Sequence, residues 1–325
     1  MKDSIIDVPG VKVGHVTDNG GGTGCTVILC GQGATAGADV RGGAPGTREI
    51  ACLDPVNFVD TVHAIYLCGG SVYGLDGAGG VMQYLEEQKI GLDVGVCLVP
   101  IVPGAVLFDL PVGSATVRPD KAMGYQACLN ASAASVEQGS VGAGTGATVG
   151  KSAGMDFAMK GGIGTASFAS GDLIVAALVA VNCFGDVVDP ETGTMLAGML
   201  SQDKKSMVST LRYISADPNE KAKVFSGNTT LGVVATNAKL SKAEATKVAQ
   251  MAQDGFARAI NPIHTMYDGD TTFCLATGEV ESDLTTIGSL AAMVTAKAIA
   301  KGVVAASPLF GIKAHKDINR KEEKE

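Results

Sequence analysis

Residues 226 to 239 read Ser-Gly-Asn-Thr-Thr-Leu-Gly-Val-Val-Ala-Thr-Asn-Ala-Lys, and this stretch constrains the chain more than any other. Ser226, Gly227 and Asn228 form a turn-prone cluster that follows a charged segment. From Thr229 the residues become β-branched and apolar: Thr229, Thr230, Leu231, then Val233 and Val234. Such a run reads as a strand buried in a core. A hydroxyl residue therefore opens a core strand directly after a flexible Gly-Asn pair.

That position suits a peptide bond that cuts itself. If the turn is strained, the Thr229 hydroxyl can attack the carbonyl of Asn228, and water can open the resulting ester. The new chain end would be Thr229, which then carries a nucleophile and an α-amino base on one residue. An α-amino group with a pKa of ~8 is better matched to neutral pH than a lysine at ~10. The tripeptide Asn-Thr-Thr on its own is equally an ordinary turn into a strand.

The chain has 325 residues, of which 46% are hydrophobic and 18% charged, a core-rich globular composition. Its 44 glycines lie in short scattered clusters without a collagen-like period. They predict tight turns and close backbone approaches. So little charge leaves little polar surface for a monomer, which points to burial between subunits. A net charge of −8 argues against a nucleic-acid partner. The mixed-charge tail, residues 313 to 325, reads as a solvated end. The first residues have no apolar signal core, and no uncharged run reaches the ~18 residues needed to span a bilayer. A cytoplasmic protein without a membrane partner is expected. The eight cysteines show no Cys-x-x-Cys spacing and mostly sit among apolar neighbours. They read as buried hydrophobes, not as disulfides or zinc ligands.

Along the chain, strands and tight turns are expected over residues 5 to 40, with a strand from Cys25 to Cys30 ended by Gly31 and Gly33. Asp39 to Glu49 is a glycine-rich loop whose Arg41 and Arg48 read as structural ion-pair residues. Residues 64 to 68 form a buried strand. Gly69-Gly-Ser-Val-Tyr-Gly then leads into a helix from about Leu75 to Lys89. A nucleophile elbow needs Gly-x-Ser-x-Gly, and Tyr73 stands where the second glycine should be. Ser71 therefore marks a helix start near the pocket and is a candidate substrate contact. Residues 94 to 110, broken by Pro100 and Pro103, read as short strands. Asp120 to Glu137 reads as a helix whose Tyr125 is a second candidate substrate contact. Gly142-Ala-Gly-Thr-Gly-Ala misplaces the third glycine of a nucleotide fingerprint, so that stretch instead brings backbone near the pocket and places Lys151. Residues 161 to 167 read as a turn, Leu173 to Asn182 as an apolar strand, residues 186 to 193 as a loop, and residues 204 to 224 as an exposed connection. Helices over Lys242 to Ala259 and Leu284 to Ala305 flank a strand from Thr271 to Ala276. Intermixed strands and helices with no linker predict one α/β (α+β) domain over residues 1–325.

Asn182 closes its strand with a side-chain amide donor, a suitable partner for a tetrahedral oxyanion. Lys151, among glycines and small residues, can lose solvent and with it some basicity. Asp268 and Asp270 flank Gly269, and an extended backbone turns both to one face, where their charges call for a cation. Each has a plain alternative: a strand cap, a surface lysine, an Asp-Gly turn. His264 reads as structural. The four histidines are scattered and make no metal site.

Asn228-Thr-Thr-Leu-Gly-Val-Val-Ala-Thr-Asn-Ala238 resembles the cleavage site of peptidase family S58, the DmpA-type self-processing N-terminal-nucleophile aminopeptidases and amide hydrolases, which include the nylon-oligomer hydrolases. Further family-like blocks are Asp7–His15, Asp39–Glu49, Gly69–Leu75, Gly142–Lys151 and Asp268–Asp270. The similarity spans residues 5 to 310. It implies an αββα sandwich, self-cleavage between Asn228 and Thr229 into chains 1–228 and 229–325, and a homotetramer of the processed heterodimers. It implies Thr229 as nucleophile, Lys151 as an active-site lysine, Asn182 as oxyanion donor, and Asp268 and Asp270 orienting the cations. It implies no cofactor, no metal and a small amide or peptide substrate. Some members carry Ser and Glu where Asp268 and Asp270 stand, and the Asp-x-Asp form fits the nylon-hydrolase branch. Three alternatives stay open: a nylon-oligomer (6-aminohexanoate) amidase, an acyl transferase like ornithine acetyltransferase, and a non-enzymatic assembly protein that never cleaves.

Overall fold

A computed structural model of the chain describes residues 1–217 and 227–318. Ser226, the last part of the expected 204–224 connection and most of the charged tail lie outside the described residues. The main strands are β1 (Val11–Asp18), β2 (Thr23–Val40), β3 (Val62–Cys68), β4 (Gly104–Val106), β5 (Gly162–Ser170), β6 (Leu173–Asn182), β7 (Thr229–Ala238) and β8 (Thr271–Val280). The helices are α1 (Ala78–Glu87), α2 (Lys121–Leu129), α3 (Thr210–Ala216), α4 (Lys242–Ala259) and α5 (Leu284–Ala305), of which α1, α2, α4 and α5 cover the sheets. One sheet runs β5-β6-β7-β8-β2 and the other β1-β2-β3-β4, with the long β2 shared by both. Pairing is antiparallel except for β7 with β8 and β3 with β4.

Side-chain alternation along the strands builds three cores, because successive residues face opposite sides of a sheet. Leu231, Val233 and Ala235 of β7 join Ala176, Leu178 and Ala180 of β6 and Ile28, Ile65 and Leu67 of the other sheet in a central core. Val175, Ala177, Val179, Val181 and Val234 point the other way, onto α4 and α5. Val27, Leu29, Ala64 and Tyr66 face α1 and α2. The order is helices, sheet, sheet, helices: the αββα sandwich. By length and composition α5 could cross a membrane, but 61% of its apolar window is buried, and it packs on β5 and β6.

Three expectations need correction. Residues 161 to 167 are not a turn but the start of β5. Their glycines serve packing, since a Cβ on Gly164 would lie 2.1 Å from the Ala298 carbonyl oxygen of α5. The strand from Cys25 does not end at Gly31 and Gly33. It continues to Val40, and the register shift between Leu29 and Ala34 lets it pass from one sheet to the other. The helix from Asp120 stops at Leu129, not Glu137, because Ser132 leaves to exchange two backbone hydrogen bonds with Val13 (3.1 and 2.9 Å). Helices α4 and α5 have the expected ends, with Ser241 and Asp283 capping Glu244 and Thr286 through their backbone N–H groups.

The Gly164 contact is testable. Gly164→Ala should lower the unfolding free energy by about 1–3 kcal/mol in urea denaturation, as overpacking against a rigid backbone does. An unchanged midpoint would show that α5 can move away from β5 freely.

Candidate active site

Thr229 and Asn182 are directly opposed in the β6–β7 pair. Opposed residues of an antiparallel pair project to the same face, with Cβ atoms ~4.5–5.5 Å apart. Both continue the inward rows that form the central core: Thr229 is in step with Leu231 and Val233, Asn182 with Ala180 and Leu178. The apolar rows thus end in a hydroxyl and an amide at one rim of the sandwich. Thr229 is 4% exposed and Asn182 fully buried.

The Asn182 amide has a defined orientation. Its Oδ1 accepts from the Thr148 N–H (2.9 Å), the Thr148 hydroxyl (3.4 Å) and Lys151 Nζ (2.9 Å). Three donors on one oxygen send Nδ2 the opposite way, where it donates to the Phe108 carbonyl (3.2 Å). Lys151 Nζ also donates to the Asn182 carbonyl (3.1 Å). Lys151 is buried, and loss of solvent pulls its amine down to about 8, opposed by the nearby acidic groups Cys183, Asp268, Asp109 and Asp270.

On the other side of β7, Asn228 forms a parallel bridge with Asp268. The Asn228 N–H donates to the Tyr267 carbonyl (3.0 Å), and the Gly269 N–H donates to the Asn228 carbonyl (2.8 Å). That same carbonyl also receives the Thr229 hydroxyl. The carbonyl preceding Thr229 is therefore polarised by a backbone donor while the hydroxyl lies against it. Only glycine fits at 269, because a Cβ there would sit 2.7 Å from Thr229 Oγ1 and 2.6 Å from the Ala44 carbonyl oxygen.

The aspartates flanking Gly269 are fully buried and turn to the side away from Thr229, as alternation requires. Asp268 accepts from the Phe184 N–H (3.0 Å), from the Thr265 N–H (3.1 Å) and from the Thr265 hydroxyl. Burial, and then the neighbouring Asp270 charge, push its carboxyl up from the usual range. Asp270 accepts from the Thr230 N–H (2.7 Å) and from His264 through its N–H (3.1 Å) and Nδ1 (2.9 Å). The contacts of both aspartates tie the loop to Phe184 just beyond β6, to β7 and to His264. Lys151 is linked to them by charge and not by a hydrogen bond. His264, expected to be structural, holds the buried Asp270 through its backbone N–H and its ring.

A cavity of about 140 Å³ opens beside the nucleophile candidate, lined by Ala44, Pro45, Gly46, Ser71, Val72, Val106, Leu107, Phe108, Gly227, Asn228 and Thr229. Larger cavities, of about 270, 450 and 360 Å³, lie elsewhere. Chemistry, not size, selects the smaller one. Ser71 lines it and holds a left-handed backbone (φ 55°), strain of a kind that concentrates at functional sites. Tyr125 needs correction. It belongs to the outer α1–α2 layer, its hydroxyl donates to Glu87 (2.6 Å), and its ring meets Tyr84 edge-on, so it does not line the Thr229 cavity. Phe108, Thr148, Phe184 and Gly269 belong to the site through backbone groups, which no side-chain pattern announces. Arg41 is paired with Asp39 (2.7 Å), and the Arg48 guanidinium meets the Met82 sulfur (3.2 Å). Among the described residues, no group of three or more His, Cys, Asp or Glu could hold a metal ion.

The model of peptidase family S58 matches residues 3–317. The chain belongs to peptidase family S58. It is a hydrolase of peptide or amide bonds. An uncharacterized aminopeptidase of Mycobacterium tuberculosis is 42% identical, over 97% of this chain and 98% of its own length. A 6-aminohexanoate-oligomer endohydrolase of Paenarthrobacter ureafaciens is 34% identical, over 94% of this chain and 83% of its own. Two solved structures share the fold of this S58 chain. A Burkholderia sp. beta-aminopeptidase superposes with a TM-score of 0.68 at 22% identity, covering 97% and 91% of the two chains. The L-aminopeptidase D-Ala-esterase/amidase of Ochrobactrum anthropi, described as a variant of the Ntn-hydrolase fold, gives 0.69 at 19% identity over 95% and 88%.

The buried lysine of this S58 site has a thermodynamic signature. Between pH about 8 and 10.5 the unfolded Lys151 binds a proton that the folded one has lost. Its burial penalty is therefore full below pH 8 and is relieved as pH rises. The unfolding free energy of wild type minus that of Lys151→Met should climb across this window, by at most about 1.4 kcal/mol per pH unit. Urea denaturation at several pH values reads it. A flat or falling difference would mean that Lys151 keeps its ordinary basicity.

Proposed function

We propose that the protein is an N-terminal-nucleophile hydrolase that cuts itself between Asn228 and Thr229 and then hydrolyses small peptides or linear amides through Thr229. The observation that carries this reading is the Asn228 carbonyl, met at once by the Gly269 N–H and the Thr229 hydroxyl. In self-cleavage the Thr229 oxygen attacks the Asn228 carbonyl carbon, and its proton passes to a base. The Gly269 N–H stabilises the oxyanion. The C–N bond breaks, the Thr229 nitrogen takes up a proton, and water hydrolyses the ester that remains. Before the cut, Thr229 N is an amide and no base, so the proton is assigned to Lys151, whose amine bonds the Asn182 side chain opposite Thr229. Afterwards the freed α-amino group shares that task, and the Asn182 amide holds the oxyanion of the substrate's own tetrahedral intermediate. The acyl-enzyme on Thr229 is then released by water.

The chains 1–228 and 229–325 would stay together because β7 is hydrogen-bonded between β6 and β8 and buried along its whole length. The small cavity with Pro45, Val72, Val106 and Phe108 in its walls favours a compact, largely apolar acyl group, with Ser71 as a polar contact. Aminopeptidase-like cleavage is the first reading. A 6-aminohexanoate-oligomer amidase is the second, favoured by the paired Asp268 and Asp270 and by the 34% identical relative. We assign the processed protein to a homotetramer in the cytoplasm. Phe58, Val56 and Met266, each more than three-quarters exposed, are apolar surface that such an assembly would cover.

Intact mass separates these ideas from a chain that never cleaves. Wild type should give two fragments joining at Asn228–Thr229, while Thr229→Ala stays whole and loses activity by about a thousandfold or more. The rate of self-cleavage should rise with pH and level off above about 8, where Lys151 becomes neutral. Equal masses apart from the substitution would end the self-processing reading, and a rate that falls with rising pH would remove Lys151 as its base.

A further inference from the structure

The reaction as derived leaves one buried lysine unused. Lys160 is fully buried two residues before β5, and its Nζ donates to the carbonyls of Thr145 (2.6 Å) and Ala147 (2.8 Å). Burying an ammonium costs several kcal/mol even after relaxation. No carboxylate lies within ion-pair distance of it among the described residues, and two backbone carbonyls hold the amine. Burial pulls it down to about 7, opposed by Asp109 and helped by the like charge of Lys151. An apolar side chain of the same length would fill the space at less cost in charge burial, so the donors have a purpose of their own.

What they hold is the segment that builds the site. Thr145 and Ala147 flank Gly146, and the next residues are Thr148, whose N–H orients the Asn182 amide, and Lys151 itself. Gly146 rests directly on Asp109, where a Cβ would come within 2.6 Å of the aspartate Cβ. Asp109 is pinned by the Gly70 N–H (2.6 Å) and the Thr23 hydroxyl (2.7 Å). It follows Phe108, whose carbonyl takes the other end of the Asn182 amide. The segment is thus held by Lys160 and packed on Asp109.

We propose that Lys160 is a positioning residue: by fixing the 145–151 segment it sets the Lys151 amine and the Asn182 amide in their places beside Thr229. This rests on the reading of Lys151 as the base in self-cleavage. The role differs from that of a core residue because it acts on chemistry through two carbonyls, six and four residues before the amine it steers.

The test uses full-length chain made by cell-free translation, with self-cleavage followed by intact mass at a series of pH values. Folding is checked by cooperative urea unfolding. Lys160→Met keeps the length and removes the donors. In folded chain it should slow cleavage tenfold or more and move the pH midpoint of the rate by half a unit or more, since the surroundings of Lys151 change. Lys160→Gln, which keeps a donor, should fall between it and wild type, and it replaces Lys160→Met if that variant does not fold. A merely structural role would lower stability and leave the midpoint where it was. A rate within twofold of wild type, or an unmoved midpoint, overturns the proposal. A chain that folds with neither substitution assigns Lys160 to stability alone and overturns it too. A wild-type chain that stays whole is a different result: it removes the self-cleavage reading, and this proposal with it.

Discussion

The hydrogen bond from the Gly269 N–H to the Asn228 carbonyl is the contact on which the site depends. It exists because β7 lies between an antiparallel and a parallel neighbour. The antiparallel register with β6 sets Asn182 opposite Thr229, and the parallel register with β8 carries the 268–270 loop past Asn228. One strand end therefore meets an amide on one side and a backbone donor on the other. A slip of one residue in either pairing would turn Thr229 from the central core face to the helix face and separate it from both.

The charged groups around this strand end are held against their solvation preference. Lys151, Lys160, Asp268 and Asp270 are all nearly or fully buried. Their hydrogen bonds go largely to backbone N–H groups and carbonyls, so each charge also fixes a stretch of main chain. Asp268 holds Phe184, Asp270 holds Thr230 and His264, Lys151 holds Asn182, and Lys160 holds Thr145 and Ala147. Rigid placement of donors around a reacting carbonyl is what electrostatic stabilisation of an oxyanion needs, because nothing then reorganises during the reaction.

Much of this was legible in the residues. The β-branched run from Thr229, the apolar run ending at Asn182 and the two capped helices at Lys242 and Leu284 carry strong periodic signals, and the structure has those elements at those residues. The glycines misled where they serve packing. Gly162 and Gly164 read as a turn but line the contact of β5 with α5, and Gly31 and Gly33 read as a strand end but mark a bulge. Periodicity cannot tell a glycine that bends the chain from one that admits a neighbour. Tyr125 had no local signal to place it on the outer layer, since that depends on how α2 stacks on α1. The backbone donors of Gly269 and Thr148 carry no side-chain signature, and they become visible only once strands far apart in sequence are paired.

Self-cleavage as proposed requires a hydroxyl that attacks the carbonyl of its own preceding residue and leaves an ester between Asn228 and Thr229. Trapping that ester is the most direct measurement. Freshly made chain, allowed to process in hydroxylamine, should release residues 1–228 with Asn228 ending in a hydroxamic acid, and a partner chain beginning at Thr229. Release of the same fragment with only a free carboxylate at every hydroxylamine concentration, or a cut at another bond, would contradict it.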